Sequence, residues 1–229
     1  MRHILLITLV LIFPSRRLAA QVYGCTDQLA SNFNASATAN DGSCVYPAAN
    51  ISPVTSVNLA GTLPESSGLV LWNLQLWTHN DNTDTTLYAL DTLSGGILQQ
   101  APIPEVDNID WEELSQDSDY LYIGDFSNNA NGNRTNLKIL RVDKNSVMLG
   151  APVTDTINFS YADQTVFTPT GGNNTDFDCE AFVVTVDSIF LFTSSGSATK
   201  PFVTRCRKCR APTPPSRATR WMWMAWSPA

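Results

Sequence analysis

Read from its N-terminus, the chain begins with a ten-residue apolar run, Ile4 to Phe13, and then never repeats one. After a polar, proline-punctuated stretch to about Pro64, short apolar runs alternate with clusters of Gly, Asn, Asp and Ser. That texture predicts strands joined by turns. The runs are Gly68–Leu76, Thr86–Leu90, Gly96–Ile103, Tyr120–Gly124, Leu137–Val142, Thr156–Tyr161, Ala181–Val186 and Ser188–Phe192. No window carries a 3.6-residue apolar stripe longer than two turns, so the body is expected to be all-β.

An internal repeat organises these runs. Asp110-Trp111-Glu112-Glu113 followed by Asp119-Tyr120-Leu121-Tyr122-Ile123 recurs as Asp178-Cys179-Glu180-Ala181 followed by Asp187-Ser188-Ile189-Phe190-Leu191. Every pair is 68 positions apart, as in 178 minus 110. A weaker copy lies 47 positions earlier, with Glu65 under Glu112 and Leu76 under Ile123. A unit of this size, with an acidic lead-in, a strand, a turn and further strands, suits a propeller blade. Blades repeat about an axis, so Glu65, Asp110, Glu112, Asp178 and Glu180 are expected to converge as an acidic ring. Such a ring needs a cation, Arg or Lys partners, or raised pKa values. The competing structural use is that each carboxylate caps the backbone of its own unit.

The N-terminus reads as a signal peptide, residues 1–20. Arg2 and His3 precede the apolar run, and Leu18-Ala19-Ala20 offers small residues before Gln21. Ten apolar residues are too few to span a bilayer. The chain is therefore expected to be secreted, or displayed at the cell surface, where disulfides persist. The formal net charge is -7 and the isoelectric point about 4.7, which exclude nucleic acid and anionic membrane as natural partners. Two histidines are too few for a His-rich transition-metal site.

Between the leader and the strands, Gly24 to Cys44 reads GCTDQLASNFNASATANDGSC, a tract rich in oxygen ligands with no apolar run able to form a core. Such a segment folds only with support from a disulfide, a hard cation, or both. The tract resembles a thrombospondin type 3-like calcium repeat found in secreted Bacteroidetes-type proteins. The resemblance implies a bridge between Cys25 and Cys44 and calcium ligands Asp27, Asn34, Asn40 and Asp41, in a module spanning residues 21–46 with a linker over 47–63. With two carboxylates the calcium site is expected to be weak.

The body carries a second resemblance. ESSGL at Glu65, LWTHND at Leu76, DWEEL at Asp110, YIGDFSNN at Tyr122 and DFDCEA at Asp176 look like a family of secreted, six-bladed, TolB-like β-propellers. Residues 64–202 would then supply about three of six blades, a partial β-propeller. His79, Asn80, Asp81, Asp125, Asn128, Asn129 and Arg134 match recurring positions of that family. His79 reads either as a general base beside Asp81 or Asp125 or as a hydrogen-bonding structural residue.

Near residue 203 the character of the chain changes. Arg205-Cys206-Arg207-Lys208-Cys209-Arg210 is followed by a Pro-rich stretch and by Trp221-Met222-Trp223-Met224-Ala225-Trp226, which holds three of the six tryptophans. Residues 203–229 read as a frameshifted, disordered tail, which makes the Cys206/Cys209 pair an accident rather than a redox or zinc motif. No nucleophile motif such as G-x-S-x-G occurs. The sequence thus favours a non-catalytic, calcium-binding module for an extracellular glycan or protein surface. A calcium-assisted phosphate-ester or other ester hydrolase is the alternative, and a truncated product without function is the third reading.

Overall fold

The computed structural model describes residues 20–194, 196, 202–207 and 220–224. The leader, residues 1–19, lies outside them, as do most of residues 208–229. The chain divides into a unit ending at Val54 and a second unit beginning at Thr55. The division falls inside the expected linker.

The first unit is held by backbone turns and by a disulfide between Cys25 and Cys44. Cys25 and Ala30 are its buried apolar residues. Around them the chain folds back on itself through Gly24 N–H to Ala39 O, Asn34 N–H to Cys25 O and Ser31 N–H to Val45 O. Closing a loop of this length stabilises by about 3 kcal/mol on the chain-entropy account.

The second unit is all-β and consists of three sheets in chain order. The first contains β1 (Ser66–Trp72), β2 (Gln75–Asn80), β3 (Thr86–Leu90) and β4 (Ile97–Pro102), each antiparallel to the next. The second contains β5 (Trp111–Gln116), β6 (Tyr120–Asp125), β7 (Lys138–Asp143) and β8 (Thr154–Tyr161), again an antiparallel meander. A five-residue helix, α1 (Lys144–Met148), links β7 to β8 and is capped by Asp143, whose carboxylate accepts from Ser146 N–H at 2.7 Å. The third sheet contains β9 (Asp178–Val184), β10 (Ser188–Ser194) and β11 (Phe202–Arg207). Finally, β12 (Arg220–Met224) pairs in parallel with β8. Thus β11 and β12 fall at or within the stretch, residues 203–229, that the sequence reads as a frameshifted, disordered tail, most of which lies outside the described residues.

Two apolar cores lie between the sheets. Trp77, Leu87 and Ala89 of the first sheet meet Trp111, Leu114, Leu121, Ile123 and Leu140 of the second. On the opposite face of the second sheet, Tyr122, Ile139, Ile157 and Phe159 meet Phe182, Val184, Ile189 and Leu191 of the third. The leading strands of successive sheets lie side by side, β1 with β5 and β5 with β9. Cross-sheet bonds tie them: Gln116 Nε2 donates to Leu71 O at 2.8 Å, and Val184 N–H donates to Ser115 Oγ at 3.0 Å.

Two strand assignments differ from the sequence reading. Gly68–Leu76 is not one strand, because Asn73 and Leu74 both adopt positive φ and turn β1 back into β2. Leucine is a poor marker for that turn, which usually shows Asn-Gly or Asp-Gly. The acidic lead-in Trp111–Gln116 is itself a strand; its charges hid the inward pair Trp111 and Leu114.

Candidate acidic site

The repeated Asp-x-Glu motif has a local cause. In β5, Trp111 pairs with Asp125 and Glu113 with Gly124, so Glu112 is an extra residue with no partner across the ladder. In β9, Cys179 pairs with Thr193 and Ala181 with Phe192, so Glu180 is the same extra residue. Each glutamate sits on a β-bulge, a device that re-aims a side chain out of the sheet pattern. Because β5 and β9 are neighbours, the two bulges bring their carboxylates to the same place.

The chemistry of that place is repulsive. Burial, reinforced by the charges of Asp110, Asp178 and Asp81, pushes the Glu112 carboxyl up to about 7. Burial, then a hydrogen bond and like charge from Asp178, then Glu112 and Asp110, push Glu180 up to about 8. Glu180 as a whole residue nonetheless keeps much of its surface exposed, so its carboxyl is only partly withdrawn from water. Asp110 is raised as well, chiefly by burial. Asp178 is fully engaged: Oδ1 accepts from Asn128 N–H at 2.7 Å and from Ser127 Oγ at 3.3 Å, and Oδ2 accepts from Ser194 Oγ at 3.1 Å. The buried Ser127 hydroxyl, which donates to Asp178, also offsets part of the rise at Asp110 and Glu112.

Of the five expected ring residues, Asp110, Glu112, Asp178 and Glu180 lie on or just ahead of the neighbouring strands β5 and β9 and are close enough to raise the pKa of Glu112 and Glu180, without forming, among the described residues, a set of three that could hold a metal. Glu65 does not join them among the described residues. It is exposed ahead of β1 and contributes its backbone carbonyl, which accepts from Asp81 N–H at 3.0 Å. The register shows why. Leu71 pairs with Leu76 in the first sheet and Leu114 with Ile123 in the second, so the second hairpin is four residues longer, 9 against 5. The 47-residue offset holds after the turn and becomes 43 before it, since 114 minus 71 is 43. Leu69, not Glu65, then stands where Glu112 stands. Sequence comparison missed Ser127 and the role of Asp81, both single polar residues outside the repeated motif.

The neighbouring charges are internally balanced. Asp125 is wholly buried and receives Arg134 at 2.7 Å and Lys138 at 3.1 Å, while Lys138 also reaches Asp107. Arg141 pairs with Asp155 and lies over the Tyr120 ring at 4.5 Å. His79 is buried, its Nδ1 is 3.0 Å from Asn80 O, and its ring meets Trp111 edge-on at 5.4 Å. Burial drives its pKa down to about 4, so it is neutral and sealed from solvent, the structural alternative rather than an accessible base.

In the first unit each expected calcium ligand already serves a turn. Asp27 Oδ1 accepts from Leu29 N–H, Asn34 Oδ1 from Ser36 N–H, Asn40 Oδ1 from Gly42 N–H and Asp41 Oδ1 from Ser43 N–H, all between 2.9 and 3.0 Å. Asp27 Oδ2 accepts from Tyr46 OH at 2.7 Å. Among the described residues, no three His, Cys, Asp or Glu side chains stand together as a ready metal site in either unit. The donors of the acidic group are all oxygen, which suits a hard cation, but they form no preset cage.

Compared with family models and with curated proteins, the chain matches none. Among the described residues no helix is long and apolar enough to cross a membrane.

Proposed function

We propose that the chain is a secreted, non-catalytic binding module of the β-propeller kind whose acidic group takes a calcium ion or another hard cation at an extracellular glycan or protein surface. The three meanders are read as blades, which is supported by their consecutive order and by leading strands that lie side by side. The observation that carries the cation reading is the convergence of Glu112 and Glu180, each on a bulge, beside Asp110 and Asp178. A bound cation would neutralise charges that otherwise hold the two glutamates partly protonated at neutral pH.

The hydrolase reading is weaker for a specific reason. A phosphate-ester site needs a cationic side chain turned toward substrate. Among the described side chains near these sheets, Arg134, Lys138 and Arg141 are each engaged by an aspartate, and Lys144 Nζ donates to Gln116 Oε1 and Asp117 O.

Calcium titration by calorimetry tests the proposal, using the whole chain, a Cys25→Ser variant and a Glu112→Gln/Glu180→Gln variant. Binding is expected to survive the loss of the disulfide and to vanish in the double glutamine variant, with proton release near pH 7. Binding abolished by Cys25→Ser alone would move the site to the disulfide loop. No binding in any form would remove the cation reading.

A further inference from the structure

The outer face of the first sheet is apolar and only partly covered. Leu63 packs on Tyr88 and Leu90 at one end, while Leu71 is 58% exposed and Leu69 beside it 57%. In the second sheet the equivalent row, Leu114–Ile123–Leu140, is buried against the first sheet. On the first sheet the cover is instead a strap of irregular chain, residues 55–59.

The strap is seated by side chains. Among the described residues no backbone hydrogen bond joins residues 55–59 to the sheet. Val57 and Leu59 both rest against Gly95, in the turn between β3 and β4. A Cβ at Gly95 would stand 2.9 Å from Val57 Cγ2 and 3.2 Å from Leu59 Cδ2. The seat therefore takes aliphatic side chains two positions apart, the spacing that puts side chains on one face of an extended chain. A cleft of about 490 Å³ remains between these two side chains and Leu69, Leu76 and Leu90. That volume lies within the range of about 300–1,000 Å³ usual for ligand clefts.

Charge at the cleft has one sign. Asp91 lines it just past the end of β3, and Glu113 lines it from β5, which lies beside β1. Hydrogen bonds from Ser94 and Leu93 hold the Asp91 carboxyl below the usual carboxylate range, so it is ionised at neutral pH. Among the described residues no Lys, Arg or His lines the cleft. An apolar floor edged by carboxylates disfavours an acidic ligand and favours an aliphatic one that carries positive charge.

We propose that this cleft docks an extended peptide segment of a partner protein, aliphatic at alternate positions with a basic residue beside them, laid alongside the strap. The site uses none of the four carboxylates of the acidic group and does not depend on a cation there.

Calorimetric titration of the whole chain with acetyl-Lys-Val-Thr-Leu-Lys-amide tests the proposal, alongside the same peptide carrying glutamate for lysine. The lysine peptide should bind with a Kd of roughly 0.1 mM, the scale expected when a few aliphatic side chains are buried, and about tenfold more tightly than the glutamate peptide. Leu69→Lys should abolish binding with unchanged circular dichroism, because the side chain is exposed. Asp91→Asn/Glu113→Gln keeps the oxygens that accept from Ser94 N–H and Leu114 N–H, and should weaken binding about tenfold. Glu112→Gln/Glu180→Gln should bind as the wild type does, which separates this site from the cation reading. No binding of the lysine peptide, equal binding of both peptides, or binding that survives Leu69→Lys overturns the proposal. Light scattering that gives twice the mass of one chain, reduced to a single chain by Leu69→Lys, would assign the cleft to a second copy and overturn it as well.

Discussion

Replacing Glu112 by glutamine should stabilise the protein at alkaline pH and leave it nearly unchanged at acid pH. The folded-state pKa of Glu112 is raised from 4.5 to about 7. A carboxyl raised in this way favours the folded state while protonated. Its contribution is fully present below the unfolded value and is lost as pH rises through about 7. At about 1.4 kcal/mol per pH unit, the rise sets a ceiling of about 3 kcal/mol. The carboxyl is only partly withdrawn from water, and solvent screening brings the expected effect to roughly 1.5 kcal/mol. Urea unfolding followed by tryptophan fluorescence reads this difference, because Trp77 and Trp111 are wholly buried between the first two sheets. The variant should exceed the wild type by roughly 1.5 kcal/mol at about pH 8.5 and by little at about pH 4.5. An equal difference at both pH values, or a loss of stability at the higher one, would refute the reasoning.

Other consequences follow from packing and charge. Asp125→Ala leaves Arg134 and Lys138 without their buried partner, and should cost about 3–5 kcal/mol in urea unfolding. Gly68 has φ of +63° and an added Cβ would stand 2.5 Å from Leu114 N, so Gly68→Ala should cost at least about 2 kcal/mol and lower the melting temperature. Trp111→Ala empties the core between the first two sheets and should cost about 3–5 kcal/mol by the same assay. Cys25→Ser should open residues 25–44 to proteolysis while leaving the unfolding of the three sheets unchanged, since the bridge closes only the first unit.

Much of this architecture was legible in the chain. The 68-residue repeat marked the true structural equivalents: Leu121 and Ile123 face the first sheet as Ile189 and Leu191 face the second. The same repeat carried Asp110 onto Asp178 and Glu112 onto Glu180, and Glu112 and Glu180 hold the equivalent bulge positions on β5 and β9. The resemblance of Gly24–Cys44 to a calcium repeat implied the bridge that is present, and the segment has no apolar run able to form a core in its place. What failed to show was register. A hairpin shortened by four residues shifted the first sheet, so Glu65 aligned with Glu112 in sequence and not in space. Bulges are equally silent in a sequence, because an extra residue looks like any other until its partner strand is known. Ser127 and Asp81 reach the group through tertiary folding alone. In β5 the charged pair Glu112 and Glu113 masked an inward pattern set by only two residues, Trp111 and Leu114.

Two bulges crowd the Glu112 and Glu180 carboxyls with their acidic neighbours, and carbon-13 titration of those two side chains in the whole chain measures that crowding directly. The expected midpoints are about 7 for Glu112 and about 8 for Glu180, with the Glu180 midpoint displaced downward in Glu112→Gln and both displaced downward by added calcium. Midpoints in the ordinary glutamate range near 4.5, indifferent to the partner substitution, would contradict it.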